Sequence, residues 1–157
     1  MRLKCLPLLY EFYIDKSCAA NHIDKMQMPW ALFSSKWFIC LYSEVLPVET
    51  VLRIWDALFY EGTKILFRVA LGLLKLNQDR LLAQTEFSGL AEELNRITDS
   101  HMTIHCHTFL EEVCSKTGSL PRARITKLKE EFGAQVRTEQ AEREKRRRED
   151  GSGMRDG

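Results

Sequence analysis

The chain has 157 residues, of which 45% are hydrophobic and 29% charged, with a formal net charge of +1. That length suits one ordinary domain or a piece of a larger one, and that balance, with sparse Gly and Pro, excludes disordered, linker-rich and collagen-like chains. The five cysteines (Cys5, Cys18, Cys40, Cys106, Cys114) are odd in number and contain no Cys-x-x-Cys pair, so free thiols in a reducing compartment are expected rather than a disulfide framework.

At the start, Arg2 and Lys4 precede a short apolar stretch from Cys5 to Tyr10. Pro7 interrupts it and Glu11 ends it, which leaves too little for the core of a signal peptide. From Trp30 to Val48 the chain is hydrophobic enough to raise a membrane question, but Lys36, Glu44 and Pro47 sit inside that stretch. Charges at bilayer depth are costly, so no transmembrane segment and a cytoplasmic location are expected.

Helical periodicity begins with Trp37, Phe38, Leu41, Val45 and Leu46, which predict a helix from Ser34 to Leu46 stopped by Pro47. A second helix is predicted from Val48 to Tyr60, with Val51, Trp55, Leu58 and Phe59 on one face and Glu49, Arg53, Asp56 and Tyr60 on the other. Glu49 and Arg53 have the spacing of an i,i+4 ion pair, and Gly62 stands where a positive-φ C-cap belongs. Thr63 is a candidate cap for a third helix, Lys64 to Asn77, whose apolar residues run nearly all round. Such a helix must be enclosed by others, so it is expected at the centre of a bundle.

Shorter helical patterns follow over Asp79 to Ala83, Glu86 to Ile97 and Thr103 to Lys116, the last ended by Gly118. No segment alternates with a period of two, so the expected fold is all-α. Ser119-Leu120-Pro121 then reads as a helix start, carrying an apolar stripe of Ile125, Leu128, Phe132 and Val136. From Glu139 to Asp150 nearly every residue is charged, and a solvated or fraying helix followed by a disordered tail is expected. There is no internal repeat.

Chemistry-bearing motifs are few. No Gly-x-x-x-x-Gly-Lys, Gly-x-Gly-x-x-Gly or Gly-x-Ser-x-Gly sequence occurs. His101, His105, Cys106, His107 and Cys114 form the densest group of ligand types, but His105 and His107 point apart on a helix and no cysteine pair completes a tetrahedron. Ordinary surface and core roles are expected for them, with neither a metal site nor a Cys–His nucleophile. The run Lys145-Arg146-Arg147-Arg148 is bracketed by Glu142, Glu144, Glu149 and Asp150 and lacks aromatic residues for base stacking, so no nucleic-acid binding is expected. Trp30, Phe33, Trp37 and Phe38, together with Trp55, are expected in the core rather than around a ligand. No catalytic, cofactor-binding or metal-ligating residue is assigned.

A family resemblance rests on Trp37-Phe38, Leu46-Pro47, Arg53-Ile54-Trp55-Asp56 and Glu61-Gly62, continued by Lys64 to Leu74 and more loosely to Leu120. This pattern resembles the later half of the TBC-type Rab GTPase-activating domain. The resemblance implies an all-helical bundle, here the C-terminal lobe, which acts on Rab-family GTPases in vesicle trafficking. It divides the chain into an unmatched segment 1–27, a partial TBC domain 28–120 and a C-terminal helix with a charged tail, 121–157. In that family activity is implied to rest on an arginine in Ile-x-x-Asp-x-x-Arg and a glutamine in Tyr-x-Gln, and neither motif occurs among these residues. Arg53 and Arg68 match the family's structural helices and are not promoted to fingers. The expectation is therefore a truncated domain that is not an enzyme activator by itself, or else a non-catalytic Rab-binding or protein-binding adaptor. It would sit in the cytoplasm, peripheral to endomembranes through a Rab, and an incomplete bundle would favour self-association through exposed apolar surface.

Overall fold

The computed structural model describes residues 18–99 and 101–118, with isolated positions between 120 and 130. Among these are seven α-helices: α1 Cys18–Lys25, α2 Ala31–Ile39, α3 Val48–Glu61, α4 Lys64–Leu76, α5 Gln78–Leu82, α6 Phe87–Arg96 and α7 Cys106–Thr117. A short 3₁₀ turn, His101–Thr103, precedes α7, and no strand occurs among the described residues.

Helix α4 is the hub. Ile65, Leu66, Phe67 and every residue from Val69 to Leu74 are buried, as a nearly all-round apolar sequence requires. Its principal neighbour is α7, and α3 and α2 pack on other sides. The α4–α7 contact is close because Gly72 has no side chain: a Cβ there would lie 2.6 Å from Val113 Cγ2 and 2.9 Å from Val113 Cβ. Thr63 makes no side-chain cap at the start of α4, so the expected capping bond is absent. Enclosure by its neighbours holds this helix, which is the usual source of helical stability in a protein.

The helix predicted from Ser34 to Leu46 is shorter than expected. It ends at Ile39, eight residues before Pro47, and the chain then turns through Leu41 and Tyr42 with φ of 48° and 66°. Positive φ is costly for such side chains and persists only where the surroundings dictate it. Here they do. Tyr42 is fully buried, its ring stacks on Trp37 at 6.2 Å, and its hydroxyl donates to the Leu66 carbonyl at 2.7 Å. The Leu41 carbonyl accepts from Trp55 Nε1 at 3.0 Å. The turn therefore bolts α2 to both α3 and α4. Periodicity alone carried the expected helix through this segment, because Leu41, Val45 and Leu46 fall at helical spacing whether or not the backbone is helical.

At the other side, α1 packs on α5. Ala19 and Ile23 are fully buried, and His22 Nε2 lies 2.7 Å from the Gln84 carbonyl. Part of the segment 1–27, left outside the domain by its motifs, thus belongs to the helical body. The helix predicted from Thr103 to Lys116 begins instead at Cys106, with the 3₁₀ turn ahead of it. There Thr103 is buried, donates to the Thr98 carbonyl at 3.0 Å, and offers its own carbonyl to the Thr50 hydroxyl. Gly118 ends α7 with φ of 62°. The apolar stripe Ile125 to Val136 and the charged run 139–150 lie outside the described residues.

The Gly72–Val113 contact gives a direct test. Gly72→Ala gains up to about 1 kcal/mol of helix propensity, but overpacking against a stiff β-branched side chain costs about 1–3 kcal/mol. We expect a net loss in thermal unfolding, and we expect Val113→Ala to be less harmful in the Gly72→Ala background than alone. Simple additivity of the two substitutions would show that the contact is not tight.

Candidate functional site

The family-like block Arg53 to Gly62 lies on α3, whose end is set by Gly62 at φ 77°, where its N–H reaches the Leu58 carbonyl at 2.9 Å. That turn lets α4 start at Lys64 and fold back beside α3. Between the C-terminal half of α3, the start of α4 and α7 lies a shallow cleft of about 420 Å³, bordered by Arg53, Asp56, Tyr60, Glu61, Leu110 and Cys114. The expected Glu49–Arg53 pair is replaced by Arg53 with Asp56 at 3.7 Å. Both side chains are more than half exposed, so this pair contributes no more than about 1 kcal/mol.

Arg68 is a different case. Its side chain is only 13% exposed. Nη1 lies 3.5 Å from Glu61 Oε2 and 3.9 Å from Cys114 Sγ, and Nη2 donates to the Gly118 carbonyl at 3.5 Å. The guanidinium therefore joins α3, α4 and the end of α7. A side chain held on three elements has a structural job, and its head cannot swing out without breaking all three. Nothing in the spacing of Glu61, Arg68, Cys114 and Gly118 announces this cluster, since the partners lie up to 50 residues apart.

A second charge cluster also escaped sequence reading. Glu93 is 5% exposed on its side chain, with Arg80 Nη2 at 2.8 Å from Oε1 and Arg96 Nη1 at 3.9 Å from Oε2. It fastens α5 to α6, as a buried carboxylate with positive partners would.

The remaining candidates fall where a bundle puts them. Phe33, Trp37 and Phe38 are buried, Trp30 and Trp55 half-buried, and the rings pack edge-on or tilted along α2. Both outer indoles are anchored, Trp30 Nε1 to Asp24 Oδ1 at 3.1 Å and Trp55 to Leu41. The His101 and His105 rings lie 5.3 Å apart, but among the described residues no group of three or more His, Cys, Asp or Glu is placed to hold a metal ion. Cys40, Cys106 and Cys114 are free thiols. No described helix is long and apolar enough to cross a membrane. Lys145 to Arg148 lie outside the described residues.

Residues 10–82 match the family model of the Rab-GTPase-TBC domain. Those residues are similar to part of a Rab-GTPase-TBC domain. It is 44% identical over 114 residues to the growth hormone-regulated TBC protein 1 of Homo sapiens, covering 73% of this chain and 34% of that protein. The rat protein of the same name is 46% identical over 110 residues, covering 70% of this chain and 38% of its relative. Among solved structures, the crystal structure of the Chlamydomonas flagellar RabGAP TBC domain aligns with a TM-score of 0.57 and 35% identity, over 69% of this chain and 37% of that one. The chain thus spans about a third of the length of the curated relatives it matches. The all-α architecture agrees with this TBC neighbour, and the family match begins at residue 10, inside the segment that the motifs alone left unmatched.

The Arg68 cluster is tested by Arg68→Met, which keeps the apolar stem and removes the fork. We expect a loss of about 1–3 kcal/mol in chemical denaturation, as for a poorly solvated hydrogen-bonded charge. Arg53→Met, on the exposed lip, should stay within about 0.5 kcal/mol of the parent.

Proposed function

We propose that this chain supplies a lobe of a Rab GTPase-activating domain which binds a Rab-family GTPase but does not by itself accelerate GTP hydrolysis. The observation that carries the reading is the block Arg53-Ile54-Trp55-Asp56 to Glu61-Gly62 on α3, inside a stretch that matches the Rab-GTPase-TBC model. Acceleration of the kind expected for the family needs a guanidinium to neutralise charge on the transferred phosphoryl group and an amide to orient the attacking water. Neither an Ile-x-x-Asp-x-x-Arg nor a Tyr-x-Gln sequence occurs among the 157 residues. Of the arginines in the family-like stretch, Arg53 lies exposed beside Asp56, and Arg68 is held by Glu61 and the Gly118 carbonyl. In this reading the partial TBC body runs from residue 10, where the family match begins, to 120, 121–157 is an appended segment, and any endomembrane location follows from the bound Rab.

Single-turnover hydrolysis across a panel of GTP-loaded Rabs tests the proposal. The chain should leave every Rab at its intrinsic rate, while pull-down with the same GTP-loaded panel should retain at least one member. An arginine finger is worth about 10³–10⁵ in rate, so acceleration approaching that scale would overturn the catalytic half of the proposal. Failure to retain any Rab would overturn the binding half.

A further inference from the structure

Helix α3 is apolar on two sides. Thr50, Val51 and Ile54 are buried on its inner side, while on its outer side Val48 is 70%, Leu52 53% and Phe59 87% exposed, with half-buried Trp55 among them. At 3.6 residues per turn these four fall within about 60° of one another, in a single row about 16 Å long. An apolar row of that length in water marks a contact surface.

The spacing of the row says what fits it. From Val48 through Leu52 and Trp55 to Phe59 the steps are four, three and four residues, the repeat of a coiled-coil seam. Four, three and four reads the same from either end. A two-fold axis sets two copies of one helix antiparallel, and every residue of a row meets a residue of the same row only when the spacing is palindromic. With the axis crossing α3 between Arg53 and Ile54, Val48 meets Phe59 of the second copy and Leu52 meets Trp55 of the second copy. Each contact sets a large aromatic against a smaller aliphatic side chain, the alternation by which facing layers interdigitate.

Area and charge bound the strength of such a pair. The row offers on the order of 400 Å² per copy, so two copies bury less than the about 1,200 Å² that separates weak encounters from standard interfaces. Beside the row run Glu49, Arg53 and Asp56, all exposed, with Arg53 near Asp56 at 3.7 Å. In the antiparallel arrangement Arg53 and Glu49 each stand about 3 Å in axial height from Asp56 of the second copy. One approach is attractive and the other repulsive, and the strip carries a net negative charge on both copies. Salt screens that repulsion, so this contact strengthens as salt is added.

We propose that α3 is a self-association surface, on which a second copy of the chain docks antiparallel through Val48, Leu52, Trp55 and Phe59 as a weak, concentration-dependent dimer. The inference concerns this chain with itself and stands or falls independently of Rab binding.

Sedimentation equilibrium of the full chain between about 1 µM and 1 mM tests it, together with a benzophenone amino acid in place of the exposed Phe59. A monomer–dimer equilibrium is expected, tightened by added salt. On irradiation the adduct should join two copies, map by mass spectrometry to residues 45–52 of the second copy, and fall in yield on dilution. Leu52→Glu and Phe59→Glu should each weaken dimerisation at least tenfold, while circular dichroism and thermal melting show the helical body intact. A monomer throughout that range would overturn the proposal, as would a dimer that dissolves in salt or is indifferent to both substitutions. An adduct within one chain, or one joining copies at residues away from α3, would overturn the assigned arrangement.

Discussion

The need to enclose α4 governs the rest of the molecule. A helix with nine of its 13 residues buried, eight of them with apolar side chains, has no solvent face worth the name. At about 25 cal/mol per Å² of apolar surface removed from water, each neighbour that covers one of its sides adds more than any cap or surface ion pair. Helices α2, α3 and α7 take those sides, and the polar bonds serve to fix their approach. Tyr42 locks the α2–α3 turn to the Leu66 carbonyl, and Arg68 locks the end of α7 to the end of α3. Gly72 permits the one approach that a larger residue would prevent.

This hierarchy explains what could be read from the sequence. The central role of Lys64 to Leu76, the bounds of α3 and the all-α class followed from apolar periodicity and from Pro47 and Gly62, because those signals are local. The break at Cys40 was not legible. Leu41 and Tyr42 adopt positive φ only because Trp55 and Leu66 wait for them in the folded state, and no residue in the turn advertises it. Periodicity groups Phe59 with Val51 on one face, yet Val51 is buried and Phe59 exposed, because eight residues leave the two about 80° apart around a helix. Position along the chain gave the right helix and the wrong side.

The site shows the same division. The family-like block was legible as a block because its residues are consecutive. The Arg68–Glu61–Cys114–Gly118 cluster was not, because it is assembled from three helices. That cluster also bears on what an arginine in this fold can do. A finger must be held near a phosphate and yet be unpaired until the phosphate arrives, since its value lies in charge that is not already neutralised. Arg68 is neutralised and fixed at once. Matching to a family motif and having a mobile, uncommitted guanidinium are therefore separate properties, and the second is decided by tertiary structure.

A helix that is apolar on two sides occupies the middle of a layered structure, not its edge. The inner side of α3 faces α4, and its outer row faces water along most of its length, with the charged residues Glu49, Arg53 and Asp56 confined to a strip beside it. Were the row merely a solvated surface, the strip of charge would be expected to run across it, since a polar outer face costs an isolated helix nothing. Its apolar character instead marks the row as a contact surface. The bundle around α4 encloses its hub, while α3 keeps an apolar row exposed along its outer side.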